Sequence, residues 1–60
     1  MKFKEVEKMI SDDGWKLKTI RGSHHHYIHP KKLGKVTIPM KKSDLDKGTI
    51  KSIKKQAGLL

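Results

Sequence analysis

GSHHHYIHP, residues 22–30, lies near the middle of the chain between two segments with strand-like alternation. The stretch contains all four histidines, and the chain has no cysteine, so only here does a side chain titrate near neutral pH. Gly22-Ser23 is a turn signal, and Pro30, which has no N–H to donate, ends a strand. The stretch therefore predicts a central strand over His24–His29 and the place for any acid–base chemistry.

The two faces of this strand differ. Successive side chains of a strand point to opposite faces, so Tyr27 and Ile28 compete for the core. We predict that Tyr27 points inward. His24 and His26 then lie on the exposed face, and His25 points the other way.

Two further segments are predicted to form strands. Trp15–Arg21 alternates and predicts a half-buried strand with Trp15 in the core. Its two faces are predicted to carry Trp15, Leu17 and Thr19 on one side and Lys16, Lys18 and Ile20 on the other. Lys35–Pro39 predicts a third, short strand. Short turns join the three segments, which favours an antiparallel meander.

A helix is predicted on each side of the strands. Lys2–Asp13 has apolar residues at helical spacing (Phe3, Val6, Met9 and Ile10). Near the other end Asp46 is a suitable N-cap, and Ile50, Ile53 and Ala57 form an apolar stripe. Gly58-Leu59 fits a Schellman end.

The predicted order is helix, three strands, helix, within one domain spanning residues 1–60. Two amphipathic helices and a half-apolar sheet predict an α+β fold, a two-layer α-β-β-β-α sandwich. Its three-stranded antiparallel sheet has both helices on one face, and the other face is left to water or a ligand.

The charge balance indicates a polyanionic partner. Lys and Arg number 15 against 6 Asp and Glu, a net charge of +9, and all but one of the cations are lysine. Lysine binds phosphate as a point charge and is less suited than arginine to reading bases, which favours recognition of a nucleic-acid backbone. No apolar run approaches the roughly 20 residues of a membrane span, so we expect no membrane partner and a cytoplasmic location.

Three readings of the histidines compete. A zinc site is disfavoured because the ligands come from one strand, alternate in direction and lie among cations, so we predict no metal and no other cofactor. In the second reading, a neutral imidazole takes the proton of an RNA 2′-hydroxyl, and that oxygen attacks the adjacent phosphate. In the third, the histidines are only a polar sheet face. Residue chemistry alone leaves the last two open.

Cleavage of RNA would also need cations against the charge that develops on phosphorus. The residues predicted to contact RNA are Lys16, Lys18, Arg21, Ser23, His26, Lys31, Lys32, Lys41 and Lys42.

Four segments together resemble the HicA mRNA interferase toxins of bacterial HicA–HicB toxin–antitoxin systems. They are Asp13-Gly14-Trp15, Gly22-Ser23-His24-His25-His26-Tyr27 with Pro30, Val36-Thr37-Ile38-Pro39, and the segment from Gly48 to Leu59. The resemblance covers nearly the whole chain. The chain departs from the family pattern at Met40, where many members have a histidine.

This resemblance implies a double-stranded-RNA-binding-domain-like fold and a toxin that cleaves mRNA and is neutralised by a HicB-type antitoxin over the His24 face. The histidine of the family's Gly-Ser-His motif is catalytic, and that position here is His24. It implies no role for the other histidines and leaves the general acid unidentified. The alternatives are a non-catalytic RNA-binding module and, least favoured because no helix-turn-helix pattern appears, a DNA-binding protein.

Overall fold

The computed structural model describes residues 1–60. The elements are α1 (Phe3–Asp12), β1 (Lys16–Arg21), β2 (His24–Ile28), β3 (Val36–Pro39) and α2 (Lys47–Gln56). The strands form one antiparallel sheet in the order β1-β2-β3. The predicted α-β-β-β-α order is confirmed, and the fold is a small α+β domain of the double-stranded-RNA-binding-domain-like kind.

Helix α1 buries one apolar stripe. Phe3, Val6 and Ile10 are buried, and Met9 packs against them. The helix lies within the predicted Lys2–Asp13 range, one residue shorter at each end. It ends before Gly14, whose φ of 108° suits a glycine and turns the chain towards β1.

Helix α2 begins and ends as predicted. The carboxylate of Asp46 accepts a 2.6 Å hydrogen bond from the backbone N–H of Thr49, which makes Asp46 the N-cap. At the other end the N–H of Leu59 donates to the carbonyl of Lys54, and that of Gly58 to Lys55, which is the Schellman pattern.

The core lies between the helices and one face of the sheet. Tyr27 is 1% exposed and its hydroxyl donates to a carboxylate oxygen of Glu7 at 2.5 Å, so the inward direction predicted for Tyr27 is confirmed. Burial and the Glu7 carboxylate raise the pKa of Tyr27. Trp15, also 1% exposed, is a core residue as predicted.

Strand β1 differs from the prediction. All of its residues are exposed, with Leu17 at 48% and Ile20 at 54%. The register passes from Leu17 opposite Tyr27 to Thr19 opposite His26, so Lys18 is a bulge that shifts the alternation by one residue. The half-buried assignment, with Leu17 and Thr19 on one face and Ile20 on the other, was therefore wrong.

The bulge explains why the faces of β1 differ from the prediction, and the placement of the helices explains why the strand is exposed. Leu17 and Ile20 both lie on the helix side of the sheet, but the helices pack chiefly over β3, at the other edge. Neither helix is long and apolar enough to cross a membrane.

Candidate nucleic-acid interface and acid–base site

The structure gives the four histidines different environments. His29 lies just beyond β2 and is used by the fold. Its Nε2–H donates to the carbonyl of Asp13 at 2.7 Å, and its Nδ1 accepts from the N–H groups of Lys31 at 2.9 Å and Lys32 at 3.1 Å. Its ring packs edge-on against Trp15, with centroids 5.2 Å apart. His29 therefore holds the β2–β3 loop to the turn that follows α1.

His25 belongs to the helix side of the sheet. It is half-buried, and its ring makes an edge-to-face contact with Phe3 at a centroid distance of 4.7 Å. Its Nδ1 is buried without a hydrogen-bond partner. The side chain therefore packs under the sheet rather than facing solvent on the other side.

His24 and His26 remain, and both lie on the sheet face away from the helices, which we call the open face. The register places His24 between Arg21 of β1 and Pro39 of β3, and His26 between Thr19 and Thr37. His24 is exposed at the first position of β2. The prediction that both histidines share the exposed face is confirmed.

His26 is held in place by its neighbour on β3. Its Nδ1 lies 3.0 Å from Oγ1 of Thr37, within hydrogen-bond distance, and the ring is half-buried. Because one ring nitrogen is engaged with Thr37, Nε2 is the nitrogen left for a ligand.

A shallow cationic groove crosses the open face beside His26. Burial is the main cause of the lowered pKa of His26, and the charges of Lys35 and Arg21 lower it further. No carboxylate lines this groove, so it is suited to an anion. Its lining residues are Lys18, Thr19, Arg21, His26, Ile28 and Lys35.

Some of the predicted RNA-contact residues line this groove or lie on the same face of the sheet. Lys18 and Arg21 line it, and Lys16, opposite Ile28 in the register, lies farther along the same face. Lys31 is exposed in the loop after β2.

The turn before His24 is tied to the segment that leaves β3. The carbonyl of Ser23 accepts a 2.6 Å hydrogen bond from the N–H of Met40. The exposed Lys41 and Lys42 therefore follow directly from the His24 end of the sheet.

Lys32 is placed differently. Its ammonium donates to a carboxylate oxygen of Asp13 at 2.5 Å and to the carbonyl of Ala57 at 2.9 Å. The hydrogen bond from Lys32 is also the main reason that the pKa of Asp13 is lowered. Because this cation already joins the α1–β1 turn to the end of α2, we leave Lys32 out of the proposed RNA-binding set.

Two residues of the open face were not predicted, namely Lys35, which lines the groove, and Thr37, which holds His26. The signal was present in the sequence. Val36 and Ile38 point into the core, so the residues alternating with them had to point to the face of His24 and His26.

The structure brings together no group of three or more histidine or acidic side chains that could hold a metal ion. The fold and site together define a small α+β domain whose sheet presents a basic face with two histidines.

A comparison with protein families then assigns the chain. The family model described as the HicA toxin of bacterial toxin–antitoxin systems matches residues 3–59. The chain therefore belongs to the HicA toxin family, which gives it the role of a toxin with an antitoxin partner. No curated protein matches the chain.

Proposed function

We propose that this protein is an endoribonuclease that cleaves mRNA at the open face, with His24 as the general base. The observation that carries the proposal is the open face itself. It presents two histidines beside a groove lined by Lys18, Arg21 and Lys35 and by no carboxylate. Membership of the HicA toxin family supports it.

The chemistry uses a nucleophile that RNA itself supplies. His24 takes the proton of a 2′-hydroxyl, and the oxygen attacks the adjacent phosphorus. The products are a 2′,3′-cyclic phosphate and a 5′-hydroxyl. Cations of the open face stabilise the charge that develops on the phosphorane oxygens. The mechanism requires no metal ion.

The RNA backbone is held by charge along the same face. Lys18, Arg21 and Lys35 contact phosphates at the groove. His26 contacts the phosphate next to His24. Ser23, in the turn that precedes β2, contacts the RNA beside His24. Flanking phosphates are bound by Lys16, Lys31, Lys41 and Lys42. With a single arginine in the chain, contacts to phosphates rather than to base edges supply most of the affinity.

The antitoxin is proposed to be of the HicB type and to use the same surface. An acidic surface placed over the open face would neutralise its cations and block His24 at once. Both partners, mRNA and antitoxin, are found in the cytoplasm, where we place the toxin. Direct DNA binding is not part of this function.

A cleavage assay tests the proposal. Wild type and His24→Ala are incubated in EDTA with a single-stranded RNA and with DNA of the same sequence. Wild type should cleave only the RNA, and His24→Ala should be slower by about 10²–10⁴-fold, the usual value of an acid–base group. Because His24 is exposed, its replacement should leave thermal unfolding nearly unchanged.

Other results separate the alternatives. RNA bound but left intact by wild type would indicate a non-catalytic RNA-binding module. Cleavage that disappears in EDTA would contradict the metal-independent mechanism. Full activity in His24→Ala would remove this residue from the role of base.

A further inference from the structure

The proposed reaction needs a proton donor as well as a base. When the P–O5′ bond breaks, the 5′ oxygen leaves with a negative charge unless it receives a proton. We propose that His26 is this general acid, so that His24 and His26 act as a pair on one strand face. The inference rests on the proposed function and completes it.

Spacing is the first support. His24 and His26 are alternate residues of β2 and point to the same face, with their backbone positions about 6.6–6.8 Å apart. In an in-line displacement the attacking and leaving oxygens lie on opposite sides of the phosphorus. Base and acid must therefore be separated by the phosphate rather than touch each other, and alternate strand positions provide that separation.

The second support for His26 as the acid is that the remaining histidines, His25 and His29, are engaged elsewhere in the fold. His29 has both ring nitrogens in structural hydrogen bonds, and His25 packs against Phe3 on the helix side. The strand-end position after Pro39 holds Met40, which has no proton to give. His26 is the one other imidazole on the open face.

The partner of His26 is the third support. A hydroxyl can either donate or accept a hydrogen bond, so Thr37 Oγ1 can stay bonded to Nδ1 whether the imidazole is neutral or charged. A backbone N–H at this position would instead need an unprotonated Nδ1 and would disfavour the imidazolium. Thr37 can therefore hold the ring still while Nε2 loses and regains a proton.

The protonation of His26 should change when the substrate binds. In the free protein burial lowers the pKa of His26, with smaller effects from Lys35, Arg21, His24 and His25. A phosphate in the groove brings a negative charge to this side chain, which favours the imidazolium. RNA binding thus promotes the protonated form that the reaction needs.

The proton balance is simple. The 2′-hydroxyl gives its proton to His24 as the bond from the 2′ oxygen to phosphorus forms. His26 gives a proton to the 5′ oxygen as the P–O5′ bond breaks. The two histidines end with exchanged protonation states and return to the starting state by exchange with water.

A substrate with sulfur in place of the bridging 5′ oxygen isolates the acid. A thiolate is a stable leaving group that needs no proton, whereas an alkoxide does. Unmodified RNA and wild type first locate a cleaved linkage, and the sulfur is then placed at that linkage. Single-turnover rates are measured for wild type, His24→Ala, His26→Ala and His26→Gln, with thermal unfolding as the check of folding.

The expected pattern distinguishes the two histidines. On unmodified RNA both His26 variants should be slower by about 10²–10⁴-fold, and on the sulfur substrate they should approach the wild-type rate. His24→Ala should be slow on both substrates. Restoration by sulfur would not occur if His26 only bound RNA or supported the fold.

Three results would overturn the inference: normal rates of the His26 variants on unmodified RNA, equal loss on both substrates, or restoration of His24→Ala instead. The first two results leave the proposed endoribonuclease and its base intact. The third leaves RNA cleavage by wild type intact but removes His24 from the role of base. Absence of cleavage by wild type would overturn the proposed function and this inference together.

Discussion

His26 and Thr37 are joined across β2 and β3 by a hydrogen bond of 3.0 Å between Nδ1 and Oγ1. The bond fixes the half-buried imidazole at the edge of the cationic groove, next to Lys35 and Arg21. Thr37 touches no substrate in the proposed reaction, so it is a positioning residue that acts through His26.

Replacing Thr37 by valine should slow RNA cleavage without unfolding the protein. Valine keeps the shape and the strand preference but removes the hydroxyl. The loss of one hydrogen bond of about 0.5–1.5 kcal/mol predicts a rate lower by roughly 2–13-fold. Thr37→Ser, which keeps the hydroxyl, is the control and should cleave near the wild-type rate. Equal rates for the valine and serine variants would show that the hydroxyl has no role.

The charge of Lys35 should be visible in the titration of His26. The pKa of His26 lies below its usual 6.5, mainly through burial and next through Lys35. Lys35→Gln should therefore raise this pKa towards 6.5, which NMR titration of the imidazole resonances measures directly. Lys51→Gln removes the same charge from the outer side of α2 and should leave the titration unchanged.

The lowered pKa of His26 should also make the free energy of unfolding depend on pH. Because the pKa of His26 is lower in the folded protein than in the unfolded chain, the unfolded chain binds more protons over the interval between the two values. The contribution of His26 to stability is therefore present above pH 6.5 and is lost as the pH falls through the interval. A His26→Gln variant should lack this part of the pH dependence in urea unfolding.

RNA affinity should fall steeply with salt, because binding depends on phosphates. For single strands each phosphate contact contributes about 0.7 to the slope of log affinity against log salt concentration. Lys35→Gln should reduce that slope by about 0.7, and Lys51→Gln should leave it unchanged. Fluorescence titrations at several salt concentrations measure both. A flat salt response of wild type would contradict backbone binding.

Gly14 should be intolerant of any side chain, because two effects combine there. Its φ is 108°, and a Cβ would lie 2.7 Å from Nε2 of His29, in the space of the hydrogen bond to Asp13. Gly14→Ala should destabilise the fold by more than about 1 kcal/mol in urea unfolding. Gly34 also has a positive φ, 83°, but nothing lies near it, so Gly34→Ala reports the backbone strain alone. Equal losses at the two sites would mean that contact with His29 adds nothing.

Much of the fold followed from patterns that are local in sequence. The α2 cap at Asp46 and its Schellman end are written within a few residues each. Strand alternation reduced β2 to two arrangements, with either Tyr27 or Ile28 inward, and the predicted inward Tyr27, now confirmed, placed His24 and His26 on the open face. Local patterns were sufficient for α2 and β2 because these two elements keep a regular periodicity along their whole length.

The rest depended on contacts that no local pattern reveals. The bulge at Lys18 adds one residue opposite β2, and this reversed the side predicted for Ile20 relative to Leu17. The engagement of Lys32 by Asp13 and Ala57 joins residues 19 and 25 positions apart. A lysine in the sequence carries no sign of whether its ammonium is free or already paired.

The chemistry of the RNA ends tests the central claim most directly. A short RNA is cleaved by wild type in EDTA, and the two new ends are identified by mass spectrometry, beside the same RNA with a single 2′-deoxy residue on the 5′ side of the cleaved linkage. The account predicts a 2′,3′-cyclic phosphate and a 5′-hydroxyl, and no cleavage at the 2′-deoxy position. A 5′-phosphate with a 3′-hydroxyl, or cleavage of the 2′-deoxy linkage, would contradict it.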